Sequence, residues 1–243
     1  MLLDQKRVLI TGGSRGIGKA IVERFAEEGA HVLFTYKSNM ASALDIVEIL
    51  SAKGYHVHTV KADVSQQEDC QALVKHVQDT FGGLDILVNN AGISDGGKAL
   101  DDVTESDWDR VMDLNIKSIY FLIQAFLPYL RVDCSPETPK KVINIASIDG
   151  CGKINPFYNF AYGVSKAGLI QLGKHLGDSL AWEGIYINTI SPGDFPTDLN
   201  RIARDYTEEM RNYIPGKRVG EKGNIAGAAI FLASDAGNYS VGS

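Results

Sequence analysis

The chain has 243 residues, of which 44% are hydrophobic, and its formal net charge is −6 at neutral pH. This length and composition predict one globular domain over residues 1–243, with a sizeable core. The negative charge argues against nucleic acid or an anionic membrane as partner, and no apolar run reaches the length of a membrane span. There is no signal-peptide pattern, and the three scattered cysteines lack CxxC spacing, which favours a reduced, cytoplasmic setting.

The first elements along the chain are a strand, a glycine-rich turn and a helix. Residues 7–11 form the apolar strand pattern, residues 11–18 read Thr-Gly-Gly-Ser-Arg-Gly-Ile-Gly, and a helical pattern runs from Ile17 to a stop at Gly29. Glycines let the backbone approach a pyrophosphate, and the free N–H groups of a helix start favour its charge. The alternative is an ordinary strand-to-helix turn, since the spacing Gly-x-x-x-Gly-x-Gly is wider than the common fingerprint. The predicted dinucleotide contacts here are Gly12, Ser14, Arg15, Gly16, Ile17 and Gly18.

The segment about 20 residues beyond the glycine turn indicates which dinucleotide is bound. In dinucleotide sites built from a strand, a glycine turn and a helix, an acidic residue in this segment accepts hydrogen bonds from the ribose of NAD. This chain instead has Tyr36, Lys37 and Ser38 there, and no carboxylate before Asp45. Cationic and hydroxyl groups suit a 2′-phosphate, and Arg15 adds a second cation from the glycine turn. The alternative is that Arg15 and Lys37 are solvated surface charges that take no part in binding. We therefore predict NADP(H) as the cofactor, with Tyr36, Lys37 and Ser38 among its contacts.

Strand and helix patterns alternate along the whole chain. Strands are predicted at residues 7–11, 31–36, 56–61, 86–89, 141–146 and 186–190, and helices at 41–52, 66–80, about 106–130 and 161–182. This alternation predicts an α/β, Rossmann-type, doubly wound parallel sheet with helices on both faces. Residues 132–140, with two prolines, are expected to form a surface loop.

Four polar residues in the second half of the chain form a candidate catalytic set: Asn115, Ser147, Tyr162 and Lys166. Tyr162 and Lys166 are four residues apart, so on a helix they share one face. A nearby ammonium favours the phenolate and lowers the pKa of the tyrosine, which suits it to proton transfer near neutral pH. Taken singly, each residue has a structural alternative: the serine caps a strand end, and the asparagine fixes a helix bend.

In combination these residues resemble the short-chain dehydrogenase/reductase family, and within it the 3-oxoacyl-thioester reductases. The matching motifs are Gly12, Gly16 and Gly18 of the turn, Asn89-Asn90-Ala91-Gly92 after the strand at 86–89, the four polar residues, and Ser191-Pro192-Gly193 with Thr197. The resemblance extends from about residue 6 to about residue 240. It therefore covers nearly the whole chain.

The resemblance implies a role for each residue. Ser147 is expected to hydrogen-bond the substrate carbonyl, and Tyr162 to donate the proton in reduction and accept it in oxidation. Lys166 is expected to lower the pKa of Tyr162 and hold the ribose hydroxyls, and Asn115 to anchor a water in the proton relay. The further cofactor contacts implied are Asp63 at the adenine, Val64, Asn90, Ala91, Gly92, Pro192, Gly193 and Thr197, besides Tyr162 and Lys166. For Asp63 a helix N-cap is the alternative.

The residues after Gly193 indicate the substrate less directly. Phe195, Leu199 and Met210 suit an acyl chain, and Arg201 and Arg204 suit an acyl-carrier protein or a coenzyme A phosphate. An amphipathic helix with a solvent-exposed face explains these residues equally well. Phe157, Tyr158 and Phe160 either form the opposite wall of the substrate pocket or pack in the hydrophobic core. We expect an NADPH-dependent carbonyl reductase or alcohol dehydrogenase acting on a small carbonyl or alcohol substrate, with a 3-oxoacyl thioester as the candidate. The alternatives are a sugar-acid or polyol dehydrogenase and a non-enzymatic NADPH sensor or scaffold.

Two further expectations concern assembly and metals. The family usually ends in a last strand, and this chain stops at residue 243, so that edge strand is expected to be missing, either because a C-terminal segment is left out of the sequence or because the protein lacks the strand. The interface that the family builds from its long helices, here 106–130 and 161–182, still favours a homodimer or homotetramer. The five histidines show no ligand-like cluster with the cysteines, so no metal site is expected.

Overall fold

The sheet is built from short apolar runs whose side chains are buried on both faces. In β1 (Arg7–Ile10), Val8 and Ile10 enter one hydrophobic core while Leu9 enters the other, which is typical of a parallel strand covered on both sides. The computed structural model describes residues 1–152 and 159–243. Within these residues the other strands are β2 (His31–Tyr36), β3 (Val57–Lys61), β4 (Ile86–Asn89), β5 (Lys140–Ile145) and β6 (Ile185–Ile190).

The strand order places a crevice at the centre of the sheet. The order is β3-β2-β1-β4-β5-β6, and every pair of neighbouring strands is parallel. The connections therefore reverse direction between β1 and β4, and in open sheets of this kind ligands bind beyond the carboxyl ends of the strands at such a point. The predicted Rossmann-type α/β fold is confirmed.

Helices cover the two faces of the sheet. The first core includes residues of α1 (Gly16–Glu27), α2 (Met40–Ala52) and α9 (Lys222–Ala233), and the second includes residues of α3 (Gln67–Phe81), α5 (Ser118–Leu130) and α6 (Phe160–Leu180). The shorter helices are α4 (Glu105–Met112), α7 (Arg201–Asp205) and α8 (Thr207–Tyr213). In the part of the chain described, no helix is long and apolar enough to cross a membrane.

The single long helix predicted over residues 106–130 is interrupted. α4 and α5 are joined by one π-helical turn, Asp113–Lys117, at whose centre Asn115 is fully buried. Such wide turns occur mostly as single bulges inside α-helices and are frequent at functional sites. The apolar periodicity continues through the bulge, which is why the sequence pattern did not reveal it.

The edge of the sheet beyond β6 is partly covered by the last residues of the chain. Six strands form the sheet in the described residues. Gly242 donates its N–H to Ile187 O at 2.9 Å, and Thr189 donates its N–H to Ser243 O at 2.8 Å. Residues 242 and 243 therefore lie beside β6.

Candidate active site

The glycine-rich turn lies at the carboxyl end of β1 and requires glycine at several positions. Gly12 and Gly16 have φ values of +67° and +59°, in the left-handed region that other residues rarely adopt. Gly18 has an ordinary φ, but a Cβ there would collide with Asn90 Nδ2 and Gly12 O. The backbone of the turn can therefore approach a ligand closely, at the start of α1.

Hydrogen bonds attach this turn to the end of β4. Asn90 Nδ2 donates to Thr11 O at 2.8 Å and to Gly12 O at 3.0 Å. Thr11 Oγ1 accepts from the N–H groups of Asn90 and Ala91, both at 3.0 Å, and Gly12 donates its N–H to Thr35 Oγ1 at 3.0 Å. The Asn-Asn-Ala-Gly motif thus holds the shape of the glycine turn as well as lining the cleft.

The cations expected at a 2′-phosphate both have carboxylate neighbours. Lys37 Nζ lies 2.6 Å from Asp63 Oδ2, and Arg15 Nη1 lies 3.6 Å from Asp198 Oδ2, with both members of the second pair exposed. Burial acts to raise the pKa of the Asp63 carboxyl, but hydrogen bonds from Lys37 and Ser65 outweigh it, so the pKa is lowered. The N-cap alternative for Asp63 does not apply, because the N-cap of α3 is Gln66.

Ser147, Tyr162 and Lys166 converge beside the carboxyl end of β5. Ser147 follows this strand and caps a short 3-10 turn, where its hydroxyl accepts from Asp149 N at 3.1 Å. The Lys166 ammonium lies 5.6 Å from the centre of the Tyr162 ring and donates to Ile145 O at 2.8 Å. The helical spacing of four residues therefore brings the two side chains together as the sequence predicts.

The pKa values in this group differ from the expectation. Burial raises the pKa of Tyr162 to about 12, a hydrogen bond with Ser147 acts to lower it, and the charge of Asp149 acts to raise it. Burial lowers the pKa of Lys166 to about 8. For Tyr162 burial outweighs the hydrogen bond with Ser147, so its pKa is raised, whereas the sequence predicted that Lys166 would lower it. Tyr162 is consequently protonated at neutral pH.

Asn115 lies behind the cleft and joins three elements. Its Oδ1 accepts from Ile93 N at 3.0 Å, and its Nδ2 donates to Ile93 O at 2.8 Å and to Ser165 Oγ at 3.0 Å. Ser165 Oγ in turn donates to Tyr162 O at 2.7 Å. Both amide hydrogens of Asn115 are therefore used within the protein, and the expected role in a water relay stays a prediction.

A single cleft of about 500 Å³ brings the two halves of the site together. Every predicted cofactor contact lines it, and so do Ser147, Tyr162 and Lys166. Of the residues considered for substrate, Phe195 and Met210 are buried in its wall, whereas Leu199 and Arg201 are more exposed at its surface. Phe157 and Tyr158 lie outside the described residues.

Comparison with known proteins agrees with this geometry. A family model described as "Enoyl-(Acyl carrier protein) reductase" matches residues 12–243. The chain is 36% identical to the 3-oxoacyl-[acyl-carrier-protein] reductase FabG of Staphylococcus epidermidis, over 98% of this chain and 95% of that protein. It also superposes on a Pseudomonas aeruginosa RhlG/NADP active-site complex, with a TM-score of 0.92 and 40% identity, over 99% of this chain and 93% of the other.

A third relative carries the family name itself. A short chain dehydrogenase from Burkholderia cenocepacia in complex with NADP is 31% identical, with a TM-score of 0.91, over 100% of this chain and 96% of the other. The chain belongs to the short-chain dehydrogenase/reductase family. The sequence prediction of the family is confirmed.

This short-chain dehydrogenase/reductase also lines its cleft with residues that sequence reasoning did not single out. They include Ser94, Asp149, Asn159 and Ile202. Ser94 follows the Asn-Asn-Ala-Gly motif by two residues and Asp149 follows Ser147 by two, so proximity to a motif was the available signal. Asn159 and Ile202 carry no such signal, because only the folding of α6 and α7 against the sheet brings them to the cleft.

Within the described residues, no group of three or more histidine, cysteine, aspartate or glutamate side chains could hold a metal ion. The three cysteines are free, and they lie apart in different environments.

Proposed function

We propose that this short-chain dehydrogenase/reductase is an NADPH-dependent carbonyl reductase whose substrate is a 3-oxoacyl thioester. The observation that carries the proposal is the cleft itself, because it brings the protonated phenol of Tyr162, the hydroxyl of Ser147 and the ammonium of Lys166 to the same space as the glycine turn. A proton donor, a carbonyl-binding hydroxyl and a dinucleotide site are the components that hydride transfer to a ketone requires.

The cleft fits a dinucleotide phosphate. Gly12 and Gly16 turn the backbone in the left-handed region, and the first turn of α1 contains no acidic residue that would repel a pyrophosphate. Lys37 and Arg15 line the cleft where a 2′-phosphate is expected, and no carboxylate occupies the position after β2 that would favour NAD. Both relatives with solved structures described above contain NADP. We assign NADPH to the cleft on these grounds.

The reaction is the conversion of ketone, NADPH and a proton to secondary alcohol and NADP⁺. When bound, the nicotinamide supplies the hydride that forms the new C–H bond. The Ser147 hydroxyl is placed to donate a hydrogen bond to the carbonyl oxygen, where negative charge develops. Tyr162 gives its phenolic proton to that oxygen, and because its pKa is about 12 it holds this proton at neutral pH.

The lining beyond the catalytic residues supports an acyl substrate. Met210 is buried in the wall of the cleft, and Ile148, Leu199 and Ile202 also line it. The relative from Staphylococcus epidermidis is named as a 3-oxoacyl-[acyl-carrier-protein] reductase. An aliphatic wall of this kind gains free energy from burying the methylene groups of an acyl chain.

The test is NADPH consumption with acetoacetyl-coenzyme A, measured for the wild type, Tyr162→Phe and Tyr239→Phe. Loss of a catalytic proton donor should lower turnover by at least about 100-fold in Tyr162→Phe while NADPH binding persists. Tyr239 is fully exposed and serves as the matched control. Turnover only with polyols or sugar acids and NADP⁺ would replace the substrate assignment. NADPH binding without turnover of any carbonyl or alcohol would identify a sensor or scaffold.

The cofactor assignment has its own test. Arg15→Ala and Lys37→Ala should each weaken NADPH binding by about tenfold, the effect of one charge-assisted hydrogen bond, and leave NADH binding nearly unchanged. Lys19→Ala is the control, because Lys19 lies on α1 in an exposed ion pair with Glu23. Equal effects on NADPH and NADH, or a preference of the wild type for NADH, would show that these cations do not read the 2′-phosphate.

We also propose a homodimer or homotetramer formed through α5 and α6. Three large apolar side chains on these helices are about half exposed: Tyr120, Phe121 and Val164. Covering them from water would stabilise an assembly. Light scattering should give at least twice the chain mass for the wild type and a smaller mass for Phe121→Glu. A monomeric wild type would refute the proposal.

A further inference from the structure

Asp95 is a buried carboxylate that none of the roles above uses. It lies three residues after Gly92, in the segment that leaves β4, and only 3% of its surface is exposed. Its Oδ2 accepts from Ala161 N at 3.1 Å. Gly96 and Gly97 follow with φ values of +83° and +71°, so the chain turns sharply just after this residue. A buried charge is expensive unless it has hydrogen-bond partners, which makes the contact with α6 informative.

The partner of Asp95 is the start of the helix that carries Tyr162 and Lys166. The N-cap residue of α6 is Asn159, a residue type that usually caps with its own side chain. Here it makes no such bond, and its Oδ1 instead accepts from Ser94 Oγ at 3.0 Å. Asp95 therefore supplies the cap from 66 residues earlier in the chain. Its negative charge also suits the positive end of the helix dipole.

Three consecutive residues thus link the cofactor segment to the catalytic elements. Ile93 exchanges two hydrogen bonds with the side chain of Asn115, Ser94 bonds Asn159, and Asp95 bonds Ala161, the neighbour of Tyr162. The same segment begins at the Asn-Asn-Ala-Gly motif that lines the cofactor end of the cleft. A shift of the helix start would therefore change where Tyr162 stands relative to the bound cofactor.

We propose that Asp95 is a positioning residue for proton transfer: as a long-range cap of α6, it fixes the first turn of that helix, and so Tyr162, against the cofactor segment. The inference rests on the proposed carbonyl reductase activity. The rate of proton transfer falls steeply when the reacting groups are displaced by up to about an ångström. Binding of the substrate in the ground state is less sensitive to such a displacement. The signature of such a role is a loss in kcat with little change in KM or in the Kd for NADPH.

The experiment compares Asp95→Ala with Asp95→Asn. Asp95→Ala removes the accepting oxygen, and kcat should fall by about tenfold, equivalent to about 1.4 kcal/mol in the barrier, while KM and the Kd for NADPH change by less than about twofold. Asp95→Asn keeps an accepting oxygen and should restore kcat to within about threefold of the wild type. An unchanged kcat in Asp95→Ala, an equal loss in both variants, or a parallel loss of NADPH affinity would each overturn the proposal.

A readout that does not depend on turnover separates this inference from the proposed function. In Asp95→Ala, hydrogen exchange of the Ala161 amide should accelerate by at least about tenfold, and unchanged exchange there would overturn the proposal. Thr104→Ala is the control, because it removes the cap of α4 and should leave both kcat and the Ala161 amide unaffected. A wild type that reduces no ketone would refute the proposed function, and the exchange result would still decide the role of Asp95 as a cap.

Should Asp95→Ala not fold, Asp95→Glu carries the same test. It keeps the charge but displaces the accepting oxygens by one methylene. The kcat should then fall by at least about fivefold with NADPH binding retained, and an unchanged kcat would count against positioning by this contact.

Discussion

Replacing Lys166 by methionine should abolish turnover and yet make the protein more stable. Lys166 is 3% exposed, and within the described residues its ammonium donates to Ile145 O at 2.8 Å. Burial lowers its pKa from 10.5 to about 8. A pKa lowered in this way means that the folded protein disfavours the charged form, so the charge needed at the active site reduces the free energy of unfolding. Methionine has a similar length and no charge.

The magnitude follows from the pKa. A fall from 10.5 to about 8 corresponds to about 3 kcal/mol of destabilisation wherever the lysine is charged in both states, which is below pH 8. Loss of the hydrogen bond to Ile145 offsets about 1 kcal/mol of this. Lys166→Met should therefore be more stable than the wild type by about 2 kcal/mol at pH 7, which raises Tm by about 4–8 °C for a chain of this size.

The lowered pKa of Lys166 also determines how the free energy of unfolding changes with pH. Between pH 8 and 10.5 the unfolded chain still binds the proton that the folded protein has released, so the stability of the wild type rises with pH. The advantage of Lys166→Met should accordingly shrink by about 2 kcal/mol between pH 7 and pH 10. Urea unfolding at several pH values measures this, with Lys174→Met, an exposed lysine on the same helix, as the control. A variant less stable than the wild type at pH 7, with a difference independent of pH, would refute the reasoning.

Two further substitutions test the architecture around the cleft and beneath the sheet. Gly18→Ala places a methyl group against Asn90, which must then give up hydrogen bonds that hold the glycine turn. The Kd for NADPH, measured by fluorescence titration, should therefore rise by at least about tenfold. An unchanged Kd would contradict this. Asp85→Asn leaves the nearly buried Lys140 without its carboxylate partner at 2.6 Å and should cost about 3 kcal/mol in thermal unfolding. Asp79→Asn, in an exposed pair, should have little effect, and equal shifts in both variants would show that burial is not the cause.

Much of the fold could be predicted because its signals are local. The strands at 31–36 and 86–89 have the predicted bounds, three others differ by one residue at one end, and β5 is shifted by one residue at both ends. Apolar runs of this kind are short and bounded by turn residues, and the helices between them show clear periodicity. α9 was not predicted, since its apolar residues surround the helix and leave no amphipathic pattern.

The candidate site was predictable as a set of residues but not as a chemical environment. The spacing of Tyr162 and Lys166 follows from helix geometry alone, and glycine at position 12 follows from the need for a left-handed turn. The pKa of Tyr162, in contrast, depends on burial by segments distant in the sequence, and it moved in the direction opposite to the expectation. Desolvation is a property of the packed molecule and has no local sequence signal.

Contacts between segments were likewise decided only by the tertiary structure. By itself the sequence determined the parallel α/β fold, the glycine turn and the identity of the candidate catalytic residues, because periodicity, turn chemistry and helical spacing act over a few residues. The π-turn at Asn115 and the cap of α6 by Asp95 depend on hydrogen bonds over 22 and 66 residues of chain. Such bonds form only when β4, the bulge and α6 have packed together, so no local pattern predicts them.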